Sequence, residues 1–444
     1  MAPSSSHEIP HIDRLTEIVR TDARALDLVR ELCDEVGPRF PCTPGDTAAV
    51  AWARASMQKA GLENVRAEPA PATLWERGSE ACALFLPRRA NVVLTALGGS
   101  VGTPDGGVEA RVVEYTSLDA LDAADPEEVR GNIVYLHHVM PRLRDGTGYN
   151  AASVVRTTAP SRAAKKGAVA CLVRSAGTDS MRAAHTGALF YEAGAPHIPA
   201  AALSIPDAEL LHRAFESGSS VRAHLSLGCA PMPVGESANV VGELRGTDRA
   251  DEMVLLGAHL DSWDLGTGAL DDGAGCAIAI EVARLIASLP EKPRRSVRIA
   301  LFANEELGSG GGIAYATTHA NEAPRHVAAM EADQGDGRPW AFRIPAGTGN
   351  SSVGRALAAA LAPLGIPMDA GPSRGGVDIA PLRQLGVPFV DLRQDATRYF
   401  DFHHTVNDVF ENVSPADLQS ATAAFAVAVW VLANAEERFG SAKP

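Results

Sequence analysis

Hydrophobic and polar positions along the chain follow two different rhythms. In residues 11–35, Ile12, Leu15, Ile18, Val19, Ala25, Leu28, Val29 and Leu32 recur every three or four places, which predicts a helix with one apolar face. A second helix is predicted over Thr47–Ala60, stopped by Gly61. Up to Pro231 the apolar runs are short. Val92–Ala96, Ala110–Tyr115, Gly131–His138, Ala168–Arg174 and Val221–Leu227 read as strands, and a Gly/Pro-rich stretch, 98–107, separates the first two. Helices are predicted over Ser161–Lys166 and Asp207–Ser217, the latter capped by Asp207.

After Pro231, strands and longer helices alternate. Strands are predicted at Val240–Leu244, Met253–His259, Val297–Asn304, His326–Met330 and Phe389–Leu392, and helices at Gly273–Leu289, Gly354–Leu364, Ile379–Leu385 and Pro415–Phe439. This predicts an α/β fold: a doubly wound, mostly parallel sheet with helices on both faces. The expected organisation is a discontinuous domain, 11–107 and 231–440, interrupted by a compact α+β unit at 108–230. In such sheets ligands sit beyond the carboxyl ends of the strands, so reactive residues are expected there.

Composition narrows the function classes. The 444 residues include 54 acidic and 40 Lys or Arg side chains, a net charge of −14, so no nucleic-acid partner is expected. No apolar run reaches about 18 residues, so no membrane span is expected either. The opening residues lack a basic start followed by an apolar run. The chain as written therefore reads as cytoplasmic, or as secreted or periplasmic if a leader has been removed. Six cysteines in so long a chain make no disulfide scaffold. Cys33 and Cys42 are near enough in sequence to pair, while Cys82, Cys171, Cys229 and Cys276 read as buried apolar residues.

Four clusters carry candidate chemistry. His259 and Asp261 share one face where the Met253–His259 strand ends, and Asp271 and Asp272 follow just before a Gly-rich helix start. Glu305 and Glu306 end the next apolar strand, Asp333 lies past a third, and His403 and His404 stand in FDFHHTVND. Each cluster alone has an ordinary reading: a surface histidine, a helix cap, a solvated pair, a polar loop. Three buried strands that all end in carboxylate or imidazole do not. Crowded carboxylates repel unless protonated or neutralised by metal, and a thiolate-free imidazole and carboxylate set suits zinc.

These clusters resemble the co-catalytic di-zinc exopeptidases of the aminopeptidase type and, within them, the plasma glutamate carboxypeptidase branch. The resemblance rests on GPR at 37–39, GTP at 102–104, HTG at 185–187, HLDSWD at 259–264 and YFDFHH at 399–404, and runs from about Glu31 to the carboxyl end. Residues 108–230 resemble the protease-associated domain inserted in many such peptidases, through GNIVYLHH and KKGAVACLVRS. The resemblance implies two Zn2+ per chain, with Asp271 bridging both, His259 and Asp333 on one, and Glu306 and His404 on the other. Glu305 would be the general base, and the Asp261 carboxylate would hold the other ring nitrogen of His259. A cis peptide is expected at Asp271–Asp272. Relatives often carry Tyr before the ligand histidine; here that residue is His403, so His403 or Tyr399 is the candidate oxyanion partner. Asp378 matches a family Asp read either as loop-fixing or as a helix N-cap.

The activity implied is hydrolysis of short peptides, expected to be dipeptides with free termini, by a homodimer. Arg374, with Arg393 and Arg398 as alternatives, is the candidate for binding a substrate carboxylate. The competing readings are an aminopeptidase acting on longer peptides and a receptor-like binding protein on the same fold. The intact ligand set speaks against the second.

Overall fold

The structure is a computed structural model that describes residues 9–86 and 88–439. The first eight residues and the expected domain end at residue 440 lie outside the described residues. A five-stranded sheet runs in the order Glu63–Glu76, Ala230–Leu244, Arg295–Phe302, Arg249–His259, His326–Glu331. The last three strands are parallel, but Ala230–Leu244 is antiparallel to both its neighbours. The sheet is therefore mixed rather than mostly parallel. The reason is topological: the chain leaves for the second unit along Glu63–Glu76 and returns along Ala230–Leu244, so these two strands must run in opposite directions. Pro69 and Pro71 hid the outgoing strand from its sequence pattern, and they are tolerated because it is the sheet edge.

Alternate residues of each strand face opposite sides. Val254, Leu256, Val297 and Ile299 meet the helices Ala274–Ala287 and Pro415–Asn434 on one face. Leu255, Ala300 and Phe302 meet Tyr315 and Ala316 of the helix Gly310–Thr318, together with Leu382, on the other. Pro415–Asn434 is long and apolar enough by length and composition to cross a membrane, although polar residues such as Asp417 and Gln419 interrupt its apolar run. Its residues from Ala421 to Ala433 are all buried in the protein core.

A second, eight-stranded sheet runs in the order Arg89–Val92, Glu80–Phe85, Arg222–Leu227, Val108–Tyr115, Ile133–Leu136, Ala170–Arg174, Ala200–Leu203, Leu94–Ala96. Its two edge strands are separated in sequence by Val93 alone, so the sheet must curl until its edges meet. It takes in residues 80–96 and thus begins before residue 108, where the sequence placed its start. The helix expected from Ser161 begins at Gly148 and tolerates Pro160 inside it. The helix expected at Asp207 begins at Ile205, and its cap is Ser204, whose Oγ accepts from the Asp207 N–H. All six cysteines are free. Cys33 is buried in the turn Leu32–Val36, whereas the Cys42 sulfur packs against Gly235.

Candidate metal centre

The three parallel strands deliver the centre at their common carboxyl end. His259 closes Arg249–His259 and is buried. Its Nε2 lies 3.0 Å from Asp271 Oδ1 and 3.6 Å from Asp333 Oδ1. Asp271 sits in the tight turn Ala269–Gly273, and the Asp271–Asp272 peptide is cis. Its other oxygen, Oδ2, lies 3.1 Å from His404 Nε2, which is also 3.0 Å from Glu306 Oε2. One carboxylate thus stands between two imidazoles, each backed by a further carboxylate.

Burial by itself would push the Asp271 carboxyl up. The facing His403, His259 and His404 outweigh it and hold Asp271 well below the usual carboxylate range. Glu305 moves the other way: burial, then Glu306 and Asp333, push its carboxyl well above the usual range despite His259. Asp333 is also raised by burial. Glu306 Oε1 is buried without a hydrogen-bond partner, and Asp271 Oδ2 makes no aligned hydrogen bond despite the two imidazoles that face it. Leaving such atoms unpaired costs about 1–3 kcal/mol or more each, and a bound cation removes that cost. The donor set is imidazole and carboxylate without thiolate, which fits zinc.

His403 and His404 stack face to face, with centroids 3.5 Å apart and planes 15° from parallel. A metal lies in the plane of a ligating imidazole, so two nearly parallel stacked rings do not share one ion. His404 is the better placed, because its Nε2 meets two carboxylates and its Nδ1 faces the Thr186 carbonyl at 3.3 Å. His403 Nε2 lies 3.5 Å from Asp271 Oδ2, and its Nδ1 has no partner. The same argument applies to Glu114, His137 and His212 in the second unit, whose two imidazoles stack at 3.9 Å with planes 6° apart.

His259 Nδ1 faces Asp261 twice, its backbone carbonyl at 3.0 Å and its carboxylate Oδ1 at 3.8 Å. The carboxylate also accepts the N–H groups of Glu305 (3.0 Å) and Glu306 (3.2 Å), which have no strand partner past Phe302. Asp261 therefore aims the two glutamates. Asp272 caps the following helix by accepting from Gly275 N–H, and also accepts from His259 N–H. Asp378 neither caps nor fixes a loop, for both its carboxylate oxygens are buried and unpartnered. The loop is fixed by Glu331, which accepts the N–H groups of Asp378 and Ile379.

Three residues outside the expected set shape the centre. Asp408 accepts the N–H groups of Leu270 (2.6 Å) and Asp271 (3.1 Å), and burial pushes its carboxyl up to about 7. Arg39, of the GPR motif, donates to the carbonyls of Leu260, Thr267 and Gly268 and so folds the Asp261–Gly268 loop. Thr186 backs His404, as above. For Arg39 and Thr186 the only sequence signal was membership of the GPR and HTG motifs, and for Asp408 it was a place at the end of FDFHHTVND. Glu331 was visible as another acidic residue at a strand end.

Tyr399 is buried beside His403, with ring centroids 5.0 Å apart. Burial, with Asp271 and Asp333 nearby, keeps its phenol well above its usual range and hence neutral. Arg374 has an exposed side chain and no ion pair among the described residues. Arg393 pairs with Asp145 at 3.4 Å, and Arg398 lies over Phe402.

The sequence pattern of peptidase family M28 matches residues 239–429. Carboxypeptidase Q of Mus musculus is 34% identical over 415 residues, which is 93% of this chain and 86% of that protein; the Homo sapiens protein gives the same figures. A solved Peptidase M28 precursor from Shewanella amazonensis superposes with a TM-score of 0.95 at 40% identity, covering 98% of both chains. A zinc aminopeptidase from Bacillus subtilis shares the fold at a TM-score of 0.66 and 21% identity, over 94% of this chain and 97% of the other.

Proposed function

The chain belongs to peptidase family M28, and from that membership and the buried cluster we propose that it is a two-zinc exopeptidase acting on dipeptides with free termini. The observation that carries the proposal is Asp271, whose two oxygens face two separate imidazoles, each with its own second carboxylate. His259, Asp271 and Asp333 would hold one zinc, and Asp271, Glu306 and His404 the other. When bound, the two ions supply the positive charge that lowers the pKa of a water toward neutrality and polarises the scissile carbonyl.

The chain's own residues do the rest. Glu305, whose backbone N–H is fixed by Asp261, takes the proton of the attacking water and returns it to the leaving amine. Tyr399 keeps its hydroxyl proton and has no hydrogen bond among the described residues, so it donates to the oxyanion as charge builds there. His403 packs between Tyr399 and His404, fixing both rings.

A panel of one dipeptide in four forms tests the proposal: free, amino-acylated, carboxyl-amidated and extended by two residues. Blocking either terminus is expected to lower kcat/KM by roughly tenfold or more, since a buried charged group loses its partner. Equal cleavage of the amidated and extended forms would replace this reading with an aminopeptidase. No hydrolysis by zinc-loaded protein would remove both.

A further inference from the structure

The candidate ligand His404 is held from the second unit. The short helix Tyr399–Phe402 gives way to His403 and His404, and His404 sits at φ 63°. A non-glycine residue keeps that left-handed conformation only where its surroundings impose it. The Thr186 N–H donates to the His404 carbonyl at 2.9 Å, while the Thr186 carbonyl faces His404 Nδ1. Thr178 N–H donates to the Phe400 carbonyl at 3.0 Å, and its hydroxyl donates to Asp401 at 2.8 Å. Arg142 forks onto both oxygens of Asp401.

At the centre of this grip is His185. Its Nδ1 lies 2.7 Å from the His403 carbonyl, which can only accept, so Nδ1 carries a proton and donates. Its Nε2 lies 2.6 Å from Asp179 Oδ2, and the two side chains are 0% and 2% exposed. The ring fits only because residue 177 is glycine: a Cβ there would stand 2.3 Å from the imidazole. The His185 N–H donates to Ser175 Oγ, which in turn donates to the Leu203 carbonyl, tying the dyad to the second sheet. A buried polar pair of this kind is weak evidence for stability, but its directed bonds fix orientation.

We infer that His185, backed by Asp179, is a positioning residue for zinc: it fixes the His403–His404 peptide and so presents His404 Nε2 to Asp271 and Glu306. This rests on the reading that those three residues hold an ion. Without the His185 bond the His403 carbonyl loses its donor, the peptide plane is free to turn, and the His404 ring turns with it.

The test measures zinc affinity by chelator competition in the full chain, alongside the melting temperature of the metal-free protein and kcat and KM separately. His185→Ala is expected to leave one zinc tight and weaken the other by about tenfold or more, the scale for losing a group that orients a ligand. It is also expected to lower kcat with little change in KM. His185→Asn keeps an N–H at the δ position and is expected to recover most of the affinity. Asp179→Asn, the milder change, is expected to move affinity in the same direction by less, and serves if the alanine variant fails to fold. Two equally tight zinc ions in His185→Ala or Asp179→Asn, with only the metal-free melting temperature lowered, would make the dyad merely structural and overturn the inference. If the unsubstituted protein binds no zinc, the reading of the site fails and this inference falls with it.

Discussion

The two adjacent glutamates have opposite tasks, and substitution separates them. Glu305→Gln removes a proton acceptor but no candidate ligand, so zinc content is expected to stay while kcat falls by roughly 10²-fold or more. Glu306→Ala removes the carboxylate that faces His404 at 3.0 Å, so zinc is expected to go first. Elemental analysis beside steady-state kinetics checks both, and the reverse pattern would exchange the two roles. Tyr399→Phe is expected to lower kcat by about 10²-fold with zinc retained, the scale for one oxyanion donor. An unchanged kcat would remove Tyr399 from the mechanism. At this scale much of the centre was legible, because His259, Asp271, Glu306, Asp333 and His404 fall at strand ends or in specific motifs, and the structure gathers them. The carboxylates of Asp261, Glu331 and Asp408 were harder to read. Each works by accepting backbone N–H groups of loops that only the folded chain brings near.

Among the elements, the strands and helices after residue 240 were mostly predicted to within a few residues, but the single helix expected over 11–35 is two, Ile12–Thr21 and Arg24–Glu31, and the strand expected at Val92–Ala96 is divided at Val93 between two sheet edges. Glu63–Glu76 carries two prolines and little alternation, and it is a strand because Ala230–Leu244 pairs with it. Gly148–Lys165 reads as polar for its first turns and contains Pro160, yet Ala152, Val155 and Ala159 bury one side against the second unit. Packing also governs the stacked pair formed by the strand-end His137 and the helix residue His212. Burial, and then His212, with Arg174 adding and Glu209 opposing, lower the His137 imidazole to about 4. Above its ordinary value of about 6.5 the ring is neutral in both folded and unfolded chains. Between about 6.5 and 4 the unfolded chain takes this proton and the folded one does not, so the contribution of His137 to stability falls as pH is lowered through that window. Denaturant titrations from pH 7 to 4 are expected to show a flatter loss for His137→Gln than for the parent. Equal slopes would mean that another group sets the acid sensitivity.

For the whole molecule, the mixed sheet and the second unit form one device. The outgoing and returning strands fix the second unit on the sheet edge, and its 142–186 region reaches back to hold residues 397–404. That reach is invisible in sequence, because Thr186 and His404 are 218 residues apart. The centre thus draws on both units, and the proposed function requires that it hold a pair of zinc ions that share Asp271. Native mass spectrometry of the full chain, stripped with chelator and titrated with zinc, tests this most directly. Each chain is expected to take up two zinc ions at saturation, and Asp271→Ala is expected to abolish binding of both. Saturation at one ion, or two ions retained by Asp271→Ala, would contradict that requirement.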